Sequence, residues 1–283
     1  MAPAKVVRGV RGLERKLGPT VVTVGTFDGV HRGHRLLIGR AIEEAGRLGV
    51  AASVVTWDRH PKSIVPGASA PPLLTSIERK IELLAGSGLD LVVVLPLDEE
   101  LRRWSPEHFV EEVFVGALDA RAVIVGSDWR YGHRASGDVG LLRRLGRASG
   151  FRVVTIERSG PSADEASSTR VRTAVARGQV ESAGDLLGRP HELDATVVAR
   201  AGATFEARIG SGFAVPPAGC YRGSLVGMGA GECVVHVEDG DRLRIEASGE
   251  APPIGGSARL QFISRCLRAK APRKIPSLGR RSG

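Results

Sequence analysis

The chain has 283 residues, 42% of them hydrophobic and 25% charged, with only 4% aromatic and a formal net charge of +9. This composition excludes a disordered, collagen-like or disulfide-dense chain, and it suffices for one large globular domain or two smaller ones. No apolar run approaches the length of a membrane span, and the start, Met-Ala-Pro-Ala-Lys, has no secretory apolar region.

The charge is uneven. From Arg265 onward there are seven basic residues (Arg265, Arg268, Lys270, Arg273, Lys274, Arg280, Arg281) and no acidic ones, so the remainder carries a net +2. With Pro272, Pro276 and Gly279 interspersed, residues 268–283 read as a basic disordered tail. A near-neutral body gives no nucleic-acid footprint; polyanion binding would rest on the tail alone. Cys220, Cys233 and Cys266 are odd in number and widely spaced, forming neither a zinc pattern nor an evident disulfide framework. A cytoplasmic, reducing setting is the expectation.

Strand and helix signals alternate through the first two-thirds. Val21–Val24 reads as a strand and residues 36–48 as a helix, followed by a buried strand over 51–56. A helix is expected over 75–84, a continuous apolar strand over 91–95, and a helix over 106–115 with Ser105 as N-cap and Pro106 in its first position. A strand over 122–125, a helix over 139–149 and a strand over 151–156 come next. Two short helices, 170–177 and 180–187, end at Gly178 and Gly188. Apolar strands alternating with helices imply a parallel sheet covered on both faces, with ligands beyond the carboxyl ends of its strands. After Pro190 only short β-like pieces remain (195–201, 204–209, 221–226, 232–237, 242–247, 258–263), which reads as a small antiparallel barrel or sandwich.

The densest chemical signal is Gly25-Thr26-Phe27-Asp28-Gly29-Val30-His31-Arg32-Gly33-His34, set where a strand gives way to a helix. The free N–H groups and positive dipole end of such a helix suit phosphate. His31 and His34 fall on one face of the first turn, and Gly33 lets backbone and phosphate approach closely. Three further segments follow: Thr56-Trp57-Asp58-Arg59-His60-Pro61, Gly126-Ser127-Asp128-Trp129-Arg130-Tyr131-Gly132, and Ser167-Ser168-Thr169-Arg170-Val171-Arg172. In the last, arginine stands in the first turn of a helix, where it is unfavourable unless an anion binds there.

Together these segments resemble the adenylylating half of bacterial FAD synthetases, within the nucleotidylyltransferase superfamily and its H-x-G-H signature. The resemblance covers about the first 190 residues. It implies a Rossmann-like α/β nucleotidylyltransferase domain over 1–189, followed by a riboflavin-kinase-like antiparallel β-barrel over 190–267. It implies adenylyl transfer from ATP to FMN, with Mg²⁺, giving FAD and pyrophosphate. It assigns His31, His34 and Arg170 to catalysis. It assigns Gly25, Thr26, Phe27, Asp28, Gly33, His60, Asp128, Trp129, Tyr131, Ser167, Ser168 and Thr169 to substrate binding, with no protein-held metal. The partners implied are the small molecules ATP and FMN, with no membrane; oligomeric state stays open. Arg59 stands where the family usually has proline, and Trp129 and Tyr131 where it has phenylalanine. A different phosphate acceptor, or a flavin- or nucleotide-binding regulator without catalysis, therefore remain alternatives.

The second part departs from the family. Bifunctional members carry G-x-P-T-A-N, a glutamate base and a D-x-x-G-D-L-Y-G-like segment in the kinase barrel. Here residues 201–210 read Ala-Gly-Ala-Thr-Phe-Glu-Ala-Arg-Ile-Gly, and Asp239-Gly240-Asp241-Arg242-Leu243 is at most a remnant. Only Val215-Pro216-Pro217-Ala218-Gly219-Cys220-Tyr221 keeps the barrel's P-x-G-x-Y entry. The expectation is a barrel that has lost riboflavin kinase chemistry.

Overall fold

The computed structural model describes residues 3–10, 17–157, 166–227, 230–238 and 240–266. The expected tail over 268–283, and Asp239, lie outside the described residues. By contact the chain divides into two compact units, one drawn from Met1–Pro71 and Ile77–Ala166, the other from Pro72–Ser76 and Ser167–Gly283.

The first unit runs β1 (Lys5–Arg8), β2 (Thr20–Val24), α1 (Arg32–Leu48), β3 (Ala51–Trp57), a 3-10 turn Pro61–Ile64 and α2 (Ile77–Ala85). It continues with β4 (Leu91–Leu95), α3 (Glu99–Arg103), α4 (Pro106–Phe109) prolonged by a π-helical stretch Val110–Ala117, β5 (Ala120–Gly126), α5 (Val139–Ser149) and β6 (Arg152–Ile156). The sheet order is β1-β4-β3-β2-β5-β6, and every pairing is parallel.

Both faces of the sheet are covered, so its inner strands are predominantly apolar. Alternate residues feed opposite cores. Val21, Val54, Val92 and Ile124 pack with Ile38, Ala41 and Ala45 of α1 on one face. Val22, Val55, Val93 and Val123 pack with Phe114 and Leu142 on the other. Three hydroxyls inside the sheet are satisfied by carbonyls: Thr20 Oγ1 donates to Leu118 O (3.0 Å), Thr23 Oγ1 to Ile124 O (3.0 Å) and Ser53 Oγ to Val21 O (3.2 Å). From β2 the chain moves to β3 on one side, and later to β5 on the other. The loops after these strands diverge there, which opens a crevice at the carboxyl ends.

In the second unit α6 (Ser168–Ala176) and α7 (Val180–Leu187) precede β7 (His191–Ala201), β8 (Thr204–Ile209), β9 (Gly219–Val226), β10 (Gly231–Val237), β11 (Arg242–Ala247) and β12 (Ser257–Arg265). These strands close into an antiparallel barrel, order β10-β11-β8-β7-β12-β9, with β10 also paired to β9. Closure settles barrel over sandwich. Its interior is filled by Phe205, Tyr221, Ile245, Leu260 and Phe262, and Val180 of α7 joins that core.

One expectation is corrected here. Cys220 and Cys266 form a disulfide with Cα atoms 5.3 Å apart, although their spacing in sequence gave no sign of it. The pairing of β9 with β12 sets Tyr221 opposite Arg265, and so brings together two cysteines 46 residues apart. Cys233 is buried, and burial pushes its thiol up to about 12.

Candidate active site

The loop leaving β2 is held in an uncommon backbone conformation. Phe27 has φ 51° and Val30 φ 41°, left-handed values that cost a β-branched valine most. The loop is closed by Val30 N–H donating to Phe27 O (3.1 Å) and tied to the sheet by Gly25 N–H donating to Val55 O (3.1 Å). Phe27 and Asp28 are buried beneath it. Phe27 is the floor under His34, ring centroids 4.9 Å apart.

α1 begins at Arg32, four residues before its apolar period becomes visible, because His31 serves as its N-cap. The His31 Nδ1 accepts from the His34 backbone N–H at 3.3 Å. That bond places the proton of the neutral imidazole on Nε2. The two imidazoles stack 3.6 Å apart at 18°. No acidic residue stands in the first turn, while Arg32 and Arg35 do. A helix start with imidazoles and arginines and no carboxylate favours an anion. Gly33 is required sterically: a Cβ there would lie 2.6 Å from Ala166 O and 3.2 Å from the His31 ring.

The second segment meets this loop at its base. Thr56 Oγ1 donates to Thr26 O (3.0 Å), and Asp58 Oδ1 accepts from Leu97 N–H (2.9 Å). His60 caps the 3-10 turn after it, its Nδ1 accepting from Lys62 N–H at 3.1 Å. Arg59, where proline is usual, reaches Asp58 Oδ1 at 3.3 Å.

In the third segment, Trp129 N–H donates to Gly126 O (3.1 Å), which turns the chain back beyond β5 and leaves Asp128 exposed. Trp129 stacks on Tyr131, centroids 4.5 Å apart at 8°. Tyr131 is buried, and that burial raises its phenol above the ordinary tyrosine range. Gly132 has φ 72°, and a Cβ on it would meet the ring of Pro106 at 2.7 Å. Tyr131 joins Trp57, Leu97, Leu101, Trp104 and Phe109 around a cavity of about 320 Å³, with Lys62, Arg102, Arg130 and Arg134 among its other walls. That volume and lining suit a flat ring system carrying negative charge. Trp104, Phe109 and Leu101 come from α3, α4 and their junction, which no motif flagged. Trp104 is one of only three tryptophans in the chain, the one signal that pointed to it.

The fourth segment belongs to the second unit. Ser167 caps α6, its Oγ accepting from Arg170 N–H at 3.3 Å. Thr169 and Arg170 are exposed in a first turn without acidic residues. Arg172 donates from Nε to Pro72 O at 2.6 Å, so its side chain braces the unit.

Lys80 of α2 was not singled out by the sequence. Its Nζ is buried and donates to Thr26 O (3.2 Å) and Trp57 O (2.7 Å). Burial lowers its ammonium to about 8, against which the charges of Asp28 and Asp58 act. Among the described residues, no three His, Cys, Asp or Glu side chains gather into a metal-ligating cluster, and no helix is long and apolar enough to cross a membrane.

The first unit is thus a parallel α/β domain with a histidine-capped, acid-free helix start after β2 and an aromatic cavity in the same unit. Residues 13–170 match the family model for FAD synthetase, and the chain belongs to that family. It is 34% identical over 194 residues to a bifunctional riboflavin kinase/FMN adenylyltransferase of Pseudomonas fluorescens, covering 69% of this chain and 62% of the relative. The protein of that name from Escherichia coli is 31% identical over 195 residues, with the same coverage of 69% and 62%. The chain therefore spans less than two thirds of the length of these relatives. A crystal structure titled macrolide-efflux protein, from Streptococcus pneumoniae, shares the fold at TM-score 0.77 and 19% identity, over 96% of this chain and 93% of that one.

Proposed function

We propose that the chain is an FMN adenylyltransferase, moving AMP from ATP to FMN to give FAD and pyrophosphate. The observation that carries this reading is the stacked His31–His34 pair at an acid-free helix start, in the same unit as an aromatic, arginine-edged cavity. A phosphate oxygen of FMN attacks the α-phosphorus of ATP; the bond to the β-phosphate oxygen breaks, and pyrophosphate leaves with that electron pair. The step needs no protein nucleophile. It needs two anions held in line and the growing charge on the phosphoryl oxygens met by fixed donors.

His31 Nε2–H and His34 supply donors at the transferring phosphoryl group, and the α1 N-terminus adds its N–H groups. Gly25, Thr26 and Gly33 shape the backbone that the nucleotide approaches, with Phe27 and Asp28 beneath. Within the second unit, the Ser167-capped start of α6, with Ser168, Thr169 and the exposed Arg170 and no acidic residue, is by its own chemistry suited to an anion. The flavin ring takes the cavity walled by Trp57 and Tyr131, with Trp129 stacked on Tyr131 and His60 capping the turn whose Pro61 and Lys62 line it. Mg²⁺ is taken to enter with ATP as its counterion, part of the substrate.

The barrel over 190–267 lacks the P-T-A-N signature and its glutamate base, so the reading includes no riboflavin kinase activity. An enzyme drawing on ATP and FMN belongs in the cytoplasm. Incubating pure protein with ATP, Mg²⁺ and either FMN or riboflavin, then separating the flavins, tests the whole reading. FAD from FMN alone supports it; FAD or FMN from riboflavin removes the statement on the barrel; no FAD from FMN removes the proposed activity.

A further inference from the structure

Lys80 is a buried cation with two partners, one in the loop after β2 and one at the last residue of β3. Its Nζ reaches the Thr26 carbonyl at 3.2 Å and the Trp57 carbonyl at 2.7 Å. Thr26 opens the strained loop that ends in the His31 cap, and Trp57 is a wall of the aromatic cavity. The Thr26 oxygen also receives the Thr56 hydroxyl at 3.0 Å, so both of its lone pairs are engaged.

An ammonium is an expensive way to fill this space. Desolvating it costs several kcal/mol in general, and a methionine of similar length would fill the site without that cost. What a methionine cannot do is donate. Backbone carbonyls at the ends of β2 and β3 have left the ladder of the sheet, and each needs a donor once it is buried. Lys80 supplies donors to both from α2, and so sets the spacing between the two loops. Phe27 at φ 51° and Val30 at φ 41° persist only while the surroundings over-determine them, and Thr26 directly precedes Phe27.

We propose that Lys80 is a positioning residue that clamps the phosphate loop, residues 25–31, to the cavity loop, residues 57–60, and thereby sets the attacking phosphate in line with the nucleotide. The placement of the two substrates in this statement rests on the proposed adenylyl transfer; the clamp itself does not. Lys80 acts through the main chain of Thr26 and Trp57.

The test is Lys80→Met, read by backbone hydrogen exchange and by steady-state FAD formation at saturating ATP and FMN. Exchange is expected to rise in residues 25–31 and 57–60 together, with α5 and the barrel unchanged. kcat is expected to fall about 10- to 100-fold, the scale on which small misplacements act, with the KM values for ATP and FMN within a few-fold of wild type. Lys80→Arg, which keeps charge and donors, should recover part of kcat, whereas a lysine needed only for the packing of its stem would show no such recovery. Should Lys80→Met fail to fold, Lys80→Gln is read in the same way. Exchange rising in one loop only, or rising throughout the unit, overturns the clamp, as does a kcat equal to wild type. A wild-type protein that makes no FAD overturns the activity and leaves the exchange result to decide the clamp.

Discussion

His31 carries two duties that one substitution separates. Its ring caps α1 through Nδ1, 3.3 Å from the His34 N–H, and the proposed reading gives its Nε2–H to the reacting phosphoryl group. Asparagine is among the best N-cap residues, and its side-chain oxygen can accept the same N–H. His31→Asn therefore keeps the cap and leaves no donor at the Nε2 position, because the asparagine N–H₂ ends nearer the main chain. The residue is 2% exposed and its ring stacks on His34 at 3.6 Å, so the lost contacts should cost about 1 kcal/mol of stability. His31→Ala loses the cap as well, adding about 1 kcal/mol. Loss of one preorganised donor to a developing oxyanion costs about 10²–10³ in kcat. FAD formation by flavin chromatography, with a thermal melt on the same samples, separates the two effects. Both variants should show the same large fall in kcat, with asparagine melting nearer to wild type. An asparagine variant within a few-fold of wild-type kcat would refute the assignment of Nε2 to the reacting phosphoryl group. A loss of activity that follows the melting temperature across both variants would reduce His31 to a cap.

Three other outcomes are expected. Gly33→Ala should lower both the melting temperature and FAD formation, since its Cβ lies 2.6 Å from the Ala166 carbonyl and the helical gain of alanine over glycine is only about 1 kcal/mol; calorimetry and the flavin assay check it. Lys80 is lowered from 10.5 to about 8 mainly by burial, opposed by Asp28 and Asp58, so between those values the unfolded chain holds the extra proton. Folding stability of wild type relative to Lys80→Met should therefore rise with pH across that window, by at most about 3 kcal/mol, as urea titrations at stepped pH would show. Reducing the Cys220–Cys266 bond frees a loop of 46 residues, and loop-closure entropy sets the loss at roughly 4 kcal/mol. Melts with and without reductant should differ in the barrel transition, and identical melts would mean that the pair stands reduced.

The sequence by itself determined the elements whose burial is regular. β2, β3 and β4 are buried along almost their whole length because helices cover both faces of the sheet, and α5 matched its expected limits because Asp138 caps it and an apolar stripe faces the core. The histidine-capped, acid-free start of α1 was legible too, since glycine, histidine and the missing carboxylates are local sequence features. Elements without a core-facing period stayed hidden. β1 is four residues on a sheet edge, and α3 is five residues with none buried, held by its Asp98 cap and charged pairs. Only the tertiary structure decided the rest. The apolar period of α1 begins at Leu36, yet the helix starts at Arg32, because a histidine side chain caps it. The aromatic cavity gathers Trp57, Trp104 and Tyr131 from three separate loops, and the disulfide depends on the register of β9 against β12. Lys80 lies on a helix that read as ordinary. Its meaning comes from two carbonyls 54 and 23 residues away, and such contacts exist only once the sheet has brought its loops together.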